Sequence, residues 1–220
     1  MPLKEHTVKS YDHDLQSIAR NLEEMVELVV ESINMVGQML KDRDENLINK
    51  IKPHDYKINS LDILVEKKVT AMLALRQPMA VDLRYIISSI KVSSNLERSG
   101  DQSKSIIKKI ARVGKEKFSP EVENSLQSMI ELCKEMVVDS VKAFNNHDLD
   151  LARRVAEIDD KIDDMYSNFF KKNRQETFSS DEVTTLTNIL FIAKSFERLA
   201  DHTTNIAEIA EFVITGEAVQ

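Results

Sequence analysis

Oxygen-bearing side chains interrupt the apolar stripes of this sequence in four pairs, each with a spacing of four residues. The pairs are Asp55 and Asn59, Glu97 and Asp101, Asp159 and Asp163, and Glu197 and Asp201, and Asp62 and Glu66 continue the first acidic face. On a helix, residues i and i+4 project from one face. Each pair therefore presents two oxygen ligands side by side.

Two such pairs on adjacent antiparallel helices would bring four oxygen ligands together. Carboxylates at that distance repel each other and raise each other's pKa values, and a multivalent cation removes the conflict. All-oxygen ligands favour Mg, Ca, Mn or iron, with Zn less favoured. The spacing thus indicates metal binding. The competing interpretation is a solvated acidic face, with Arg98 or Arg198 as an ion-pair partner inside the bundle.

Motifs for catalysis are missing from the sequence. It contains no Glu-x-x-His, which ferritin-like di-iron sites need on two helices, and no His-Glu-x-x-His. Phosphate-binding Gly-x-x-x-x-Gly-Lys-Ser/Thr loops and Gly-x-Ser-x-Gly elbows are missing as well. His202 is interpreted as a surface histidine rather than a ligand, and Asn205, one turn beyond Asp201, could add an oxygen. We therefore expect a protein that is not an enzyme.

Apolar residues recur at spacings of three and four along almost the whole sequence, which predicts six long helices. The seam of the first helix runs from Leu15 to Leu40, and the second and third are expected at about 44–75 and 79–113. Breaks are expected at Gln77-Pro78, at Gly114 with Ser119-Pro120, and at Gly216. The fourth helix is expected at about 120–145, the fifth from the turn at 145–148 to about 175, and the sixth from a cap at 179–181 to about 215.

An internal repeat organises these helices. Leu96-Glu97-Arg98-Ser99-Gly100-Asp101 recurs 100 positions later as Phe196-Glu197-Arg198-Leu199-Ala200-Asp201. Asp55-x-x-Ile58-Asn59-x-Leu61 likewise returns as Asp159-x-x-Ile162-Asp163-x-Met165. The repeat predicts an all-α fold of two tandem, sequence-related three-helix bundles of long helices, spanning 1–114 and 115–220.

Composition excludes several other classes of protein. Only 4 Gly, 4 Pro and 5% aromatic residues occur, too few for the turns and strands of a sheet fold. The net charge of −7 argues against binding nucleic acid. The lone Cys133 is interpreted as a buried structural thiol of an intracellular protein. No signal peptide and no run of roughly 18 to 20 apolar residues is visible, so we expect a cytoplasmic protein without membrane insertion.

These motifs together resemble the PhoU family of bacterial phosphate-signalling accessory proteins. The resemblance covers about residues 10 to 216. It rests on three segments: Gln77-Pro78-x-Ala80-x-Asp82-Leu83-Arg84, Leu96-Glu97-Arg98-Ser99-Gly100-Asp101, and Phe196-Glu197-Arg198-Leu199-Ala200-Asp201-His202-x-x-Asn205-Ile206-Ala207-Glu208. The duplicated Glu-Arg-x-x-Asp is its most specific feature.

The resemblance implies two clusters of metal ions held by Glu/Asp-x-x-x-Asp pairs. Carried over by position, one cluster would use Asp159, Asp163, Glu197 and Asp201, and the other would use Asp55, Asn59, Glu97 and Asp101. Asn59 departs from the acidic pattern. Because an amide is a neutral ligand, we expect this first site to hold metal less tightly or with fewer ions.

The resemblance also implies a regulatory role. PhoU-like proteins couple a high-affinity phosphate ABC transporter to a membrane sensor histidine kinase and keep phosphate-starvation genes off when phosphate is ample. The implied partners are the ATPase subunit of the transporter, the cytoplasmic portion of the kinase and a second copy of the chain. Two alternatives remain: an accessory protein of a low-affinity phosphate permease, and a metal-dependent hydrolase or oxidase with a carboxylate site.

Overall fold

Helices, six of them long, account for all regular structure in the part of the chain that the structure, a computed structural model, describes: residues 3–76, 78–113, 118–172 and 180–217. In chain order they are α1 (Leu3–Asp42), α2 (Leu47–Lys50), α3 (Lys52–Arg76), α4 (Ala80–Val113), α5 (Pro120–Asn146), α6 (Leu149–Lys172) and α7 (Ser180–Thr215). Helices α1, α3 and α4 pack together as one bundle, and α5, α6 and α7 as a second. The predicted all-α fold of two tandem three-helix bundles is confirmed.

The predicted apolar seam of α1 forms the centre of the first bundle. Its central members are fully buried because they recur at three- and four-residue steps and so share one face of the helix, whereas Leu15 at its start is partly buried. The fully buried row comprises Ile18, Leu22, Met25, Val29, Ile33 and Val36. The lone Cys133 is buried on α5, as expected, and burial raises the pKa of its thiol.

The second predicted helix is divided in two. Instead of one helix beginning near residue 44, the short helix α2 ends at Lys50 and α3 starts at Lys52, with Ile51 between them. The reason is Pro53, which has no N–H to donate into a continuous helix and is tolerated only in the first turn of a new one. The backbone continues the turn through hydrogen bonds from Ile51 N to Leu47 O at 3.0 Å and from Asp55 N to Ile51 O at 3.1 Å.

Caps define the ends of the helices in the second bundle. Ser119 accepts a hydrogen bond from Val122 N at 3.4 Å and precedes Pro120 at the first helical position, as predicted. At the other end of α5, His147 adopts the left-handed conformation with φ of 56°. Gly216 ends α7 with φ of 80°, a conformation that glycine adopts without steric cost. The predicted breaks at 145–148 and 216 are confirmed.

Some sequence predictions fall outside the described residues. They are the break at Gln77, the break at Gly114, the end of the fifth helix near 175 and the cap at Ser179. The predicted boundary between the two repeats, at 114 and 115, also lies outside the described residues. These predictions stay open.

The two bundles are joined along α4 and α7, which run antiparallel in contact over most of their length. Arg84 Nε donates to Val213 O at 3.1 Å near one end, and Asn205 Nδ2 donates to Asn95 Oδ1 at 3.4 Å near the middle. Small side chains are buried on both of these helices. They include Ser89, Ser99 and Ser103 on α4 and Ala193, Ala200 and Thr203 on α7. Helices α1 and α5 form a second contact between the bundles.

Within the described ranges, no helix has the unbroken apolar length that a membrane crossing requires.

Candidate metal centre

Each bundle holds one cluster of acidic side chains between two antiparallel helices. Acid cluster one lies between α3 and α4 and consists of Asp55, Asp62, Glu97 and Asp101. Acid cluster two lies between α6 and α7 and consists of Asp159, Asp163, Glu197 and Asp201. All four acids of cluster two and three of cluster one come from the predicted pairs. The contact between α6 and α7 therefore brings both of its predicted pairs together, whereas in acid cluster one Asp62 is present and Asn59 is not.

Mutual repulsion is clearest in acid cluster two. Burial, followed by the charges of Asp163 and Asp201, raises the pKa of Asp159 to about 6, and the Thr204 hydroxyl opposes this rise. Burial and then Glu197 raise the pKa values of Asp163 and Asp201 as well. The ionised form is therefore disfavoured, as expected where carboxylates crowd without enough positive charge.

Two oxygens of acid cluster two have no hydrogen-bond partner although they are buried. They are Asp159 Oδ1 and Glu197 Oε2. Buried carboxylate oxygens are costly unless they accept a hydrogen bond or coordinate a cation. The side chain of Glu197 is only 13% exposed, so bulk water does not relieve this cost. A bound metal ion would relieve this cost by coordinating the buried oxygens.

A lysine supplies the positive charge on one side of acid cluster two. Lys194 Nζ, one turn before Glu197 on α7, forms a salt bridge with Glu197 Oε1. It also lies 5.3 Å from the centre of the Tyr166 ring on α6. The hydrogen bond to Glu197 raises the pKa of Lys194 despite the opposing effect of burial.

A different lysine bridges acid cluster one. Lys104 Nζ on α4 lies 2.6 Å from Asp55 Oδ1 on α3 and 2.7 Å from Asp101 Oδ1 on its own helix. Burial lowers the pKa of Lys104, but the two hydrogen bonds outweigh it and the net pKa is raised. The two lysines are not repeat counterparts, because Thr204 and Ser94 occupy the equivalent positions.

Asp62 supplies the fourth carboxylate of acid cluster one. It accepts a hydrogen bond from Ser93 Oγ at 2.6 Å, and its charge raises the pKa of Glu97, after burial and Asp101. Asn59 is exposed. Asp62, three residues beyond Asn59, gives acid cluster one as many carboxylates as acid cluster two. The expectation that the first site holds metal less tightly or with fewer ions stays a prediction. In the second repeat, Tyr166 occupies the position equivalent to Asp62.

The chemistry of both acid clusters fits a metal ion because carboxylates crowd in each, and in acid cluster two the two orphaned oxygens add to this argument. Within the described residues, no three Asp, Glu, His or Cys side chains surround a common point at ligand distances. The two lysine ammonium groups lie among the carboxylates in this arrangement.

Arg98 and Arg198 form no direct ion pair with the acids in the part of the chain that is described, although the charge of Arg198 opposes the rise in the pKa of Asp201. Lys104 and Lys194 form those ion pairs instead. The lysines could have been found from sequence, since Lys104 follows Asp101 by three positions and Lys194 precedes Glu197 by three. Asn205 donates to Asn95 on α4 rather than extending acid cluster two towards α6.

Known proteins resemble this chain over nearly its full length. A family model described as a PhoU domain matches residues 22–110 and 126–210, one range in each bundle. The phosphate-specific transport system accessory protein PhoU homolog of Caulobacter vibrioides is 32% identical over 216 residues, which are 98% of this chain and 94% of that protein.

Two crystal structures share the fold. PhoU from Pseudomonas aeruginosa matches with a TM-score of 0.84 at 28% identity, covering 94% of this chain and 100% of that one. The phosphate transport system regulatory protein PhoU from Streptococcus pneumoniae matches with a TM-score of 0.83 at 28% identity, covering 96% and 99%.

Proposed function

The chain belongs to the PhoU family, and we propose that it is a cytoplasmic adaptor and negative regulator of phosphate uptake and phosphate-starvation signalling. The observation that carries this proposal is the match of both halves of the chain to the PhoU domain. Its relatives are named as accessory and regulatory proteins of phosphate transport. The chain acts by binding other proteins rather than by catalysis.

Its partners in this proposal are the ATPase subunit of a phosphate ABC transporter and the cytoplasmic portion of a sensor histidine kinase. It works as a homodimer. The two bundles differ in what they offer to a partner, since the Gln77-Pro78 and Arg84 segment of the first has no counterpart in the second. Two apolar side chains at that segment are exposed: Leu75, just before it, is 78% exposed and Met79, within it, is 79% exposed. Apolar side chains this exposed are suited to a protein contact.

Metal ions at the two acid clusters complete the proposal. Asp159, Asp163, Glu197 and Asp201 hold one group of ions, and Asp55, Asp62, Glu97 and Asp101 hold the other, with iron, Mn, Mg or Ca as the favoured cations. Bound metal supplies positive charge between helices that otherwise repel. It thereby fastens α3 to α4 and α6 to α7 and stabilises the fold by mass action.

Deletion of the gene tests the regulatory role. We expect a phosphate-starvation reporter, such as alkaline phosphatase, to be expressed in phosphate-rich medium in the deletion strain and to be repressed again by the restored gene. Repression that persists in the deletion strain, with unchanged phosphate uptake, would contradict the proposal. A strain that also lacks the sensor kinase is the control, because reporter expression there should not respond to the deletion.

A further inference from the structure

Basic side chains gather along one side of the contact between α4 and α7. Arg98 and Lys109 come from α4, and Arg198 and His202 come from α7; we call these four the cationic face. Arg198 lies close enough to Lys109, across the contact between the two helices, for its charge to act on that ammonium group. Burial and then Arg198 lower the pKa of Lys109.

The register of the two helices explains why these side chains share one side. Asn205 contacts Asn95 at one end of the row, and Lys109 Nζ donates to Ser195 Oγ at the other. Arg98 is one turn beyond Asn95, and His202 is one turn before Asn205, so these two are opposite each other. Arg98 is rotated by about 100° around α4 from its neighbour Glu97, which directs it away from acid cluster one.

No salt bridge within 4.0 Å neutralises the cationic face among the described residues, although the charge of Arg198 acts on Asp201, one turn further along α7. Lys104 and Lys194 nearby, by contrast, are paired. Both arginines are exposed, and His202 Nδ1 is buried without a hydrogen-bond partner. Like charges held together without an anion repel each other. This local excess of positive charge stands out in a chain whose net charge is −7.

We propose that the cationic face binds a phosphoryl oxyanion, as free inorganic phosphate or as the phosphate of a larger molecule, between Arg98 of the first repeat and Arg198 of the second. Arginine presents a planar fork of donors that matches two oxygens of such an anion. The two arginines occupy equivalent repeat positions, one on each helix of the α4–α7 contact, so one anion bound between them would tie the bundles together. Lys109 adds a further positive charge. This proposal does not depend on the regulatory role or on metal at the acid clusters.

Equilibrium dialysis of the purified full-length chain against labelled inorganic phosphate tests the proposal. The protein is first treated with a chelator, so that metal at the acid clusters cannot hold the anion. We expect saturable binding by the wild type. Arg98→Gln with Arg198→Gln should weaken it about tenfold or more, the loss of at least one charge-assisted hydrogen bond.

Matched variants separate a site from general charge. Arg20→Gln with Arg153→Gln removes the same charge from exposed positions on α1 and α6 and should bind phosphate as the wild type does. Arg98→Lys with Arg198→Lys keeps the charge but loses the fork, and should also bind more weakly. A wild type without saturable binding, or equal binding by the wild type and the Gln variant, would overturn the proposal.

Competition identifies the source of the anion. If unlabelled phosphate displaces the labelled phosphate and adenosine monophosphate does not, the site is specific for the free anion. If adenosine monophosphate also displaces it, the site accepts a phosphoryl group on a larger molecule. Displacement by chloride at equal concentration would contradict a phosphoryl site. Because the assay uses purified protein, its outcome is independent of the reporter experiment.

Discussion

Lys104 Nζ on α4 lies 2.6 Å from Asp55 Oδ1 on α3, so a lysine joins the two helices at the place where a metal ion is proposed to join them. The same ammonium group also contacts Asp101 at 2.7 Å. A metal that uses these two carboxylates must displace the lysine. Lys104 therefore competes with metal at acid cluster one.

Removing the competitor should strengthen metal binding at acid cluster one. Lys104→Met keeps the aliphatic side chain and removes the charge, so we expect Mn²⁺ to bind about tenfold more tightly, in line with the loss of one charged hydrogen bond. Without metal, the variant should melt at a lower temperature, since its carboxylates lose their counter-charge. Calorimetric titration with Mn²⁺ measures the affinity. Lys108→Met, at an exposed position on the same helix, is the control; equal affinities of wild type and Lys104→Met would rule out the competition.

Acid cluster two should make the metal-free protein sensitive to pH. The pKa of Asp159 is raised from 3.8 to about 6 in the folded state, so the folded state binds its proton more tightly than the unfolded state. Stability is then greatest below about pH 4 with respect to this group, and is lost as the pH rises through about 6. We expect the melting temperature of chelator-treated protein to fall between pH 5 and pH 7.

Asp159→Asn isolates that effect. The variant removes the buried charge, so at pH 7 without metal it should melt above the wild type by about 2–4 °C for each kcal/mol of relieved repulsion. Its melting temperature should also depend less on pH. Glu157→Gln, a neutralisation at an exposed position of α6, should leave the wild-type pH dependence unchanged. A metal-free wild type whose stability rises between pH 5 and pH 7 would refute this account of the cluster.

Asp62 should matter more than Asn59 for metal at acid cluster one. Asp62 faces Glu97 and is oriented by the Ser93 hydroxyl, whereas Asn59 is exposed. We expect Asp62→Asn to weaken Mn²⁺ binding at this cluster, and Asn59→Ala to change it little. Glu66→Gln, one turn further along α3, serves as the matched neutralisation. The prediction fails if Asp62→Asn binds Mn²⁺ as tightly as the wild type.

The exposed apolar side chains at one end of the first bundle should contribute to partner binding. Leu75→Ser with Met79→Ser removes two of the most exposed apolar side chains in the described ranges, so folding should be unaffected. We expect the variant to recover less transporter ATPase subunit when the two proteins are co-purified. Ile63→Ser, at a position of α3 that is 51% exposed, controls for surface polarity. Equal recovery by the variant and the control would place the contact elsewhere.

The helices and the pairing of the acids could be predicted because both are encoded locally. The three- and four-residue spacing that buries Ile18 and Val36 also puts Glu197 and Asp201 on one face, and the repeat identifies the helices that correspond. The cap at Ser119 and the end at Gly216 follow from the preferences of single residues.

Features that depend on contacts between helices could not be predicted. Periodicity does not show that α4 packs against α7, so it gives no reason for Arg98 and Arg198 to lie on one side of that contact. The carboxylate of Asp62 joins acid cluster one only because Ser93 of α4 is opposite it. The apolar pattern of Ile48, Ile51 and Ile58 continues across the division at Ile51, so periodicity alone does not show the break that Pro53 imposes.

Metal content is the most direct test of the central claim that paired carboxylates between helices are metal sites. Elemental analysis of full-length protein purified without chelator should find metal in the wild type. Less should remain in Glu197→Ala with Asp201→Ala, and the loss should be accompanied by a lower melting temperature in metal-containing buffer. Glu23→Ala with Glu27→Ala removes an exposed pair of the same spacing from α1 and should retain the wild-type metal content. Equal metal content and equal melting temperature in the wild type and the Glu197/Asp201 variant would contradict the account.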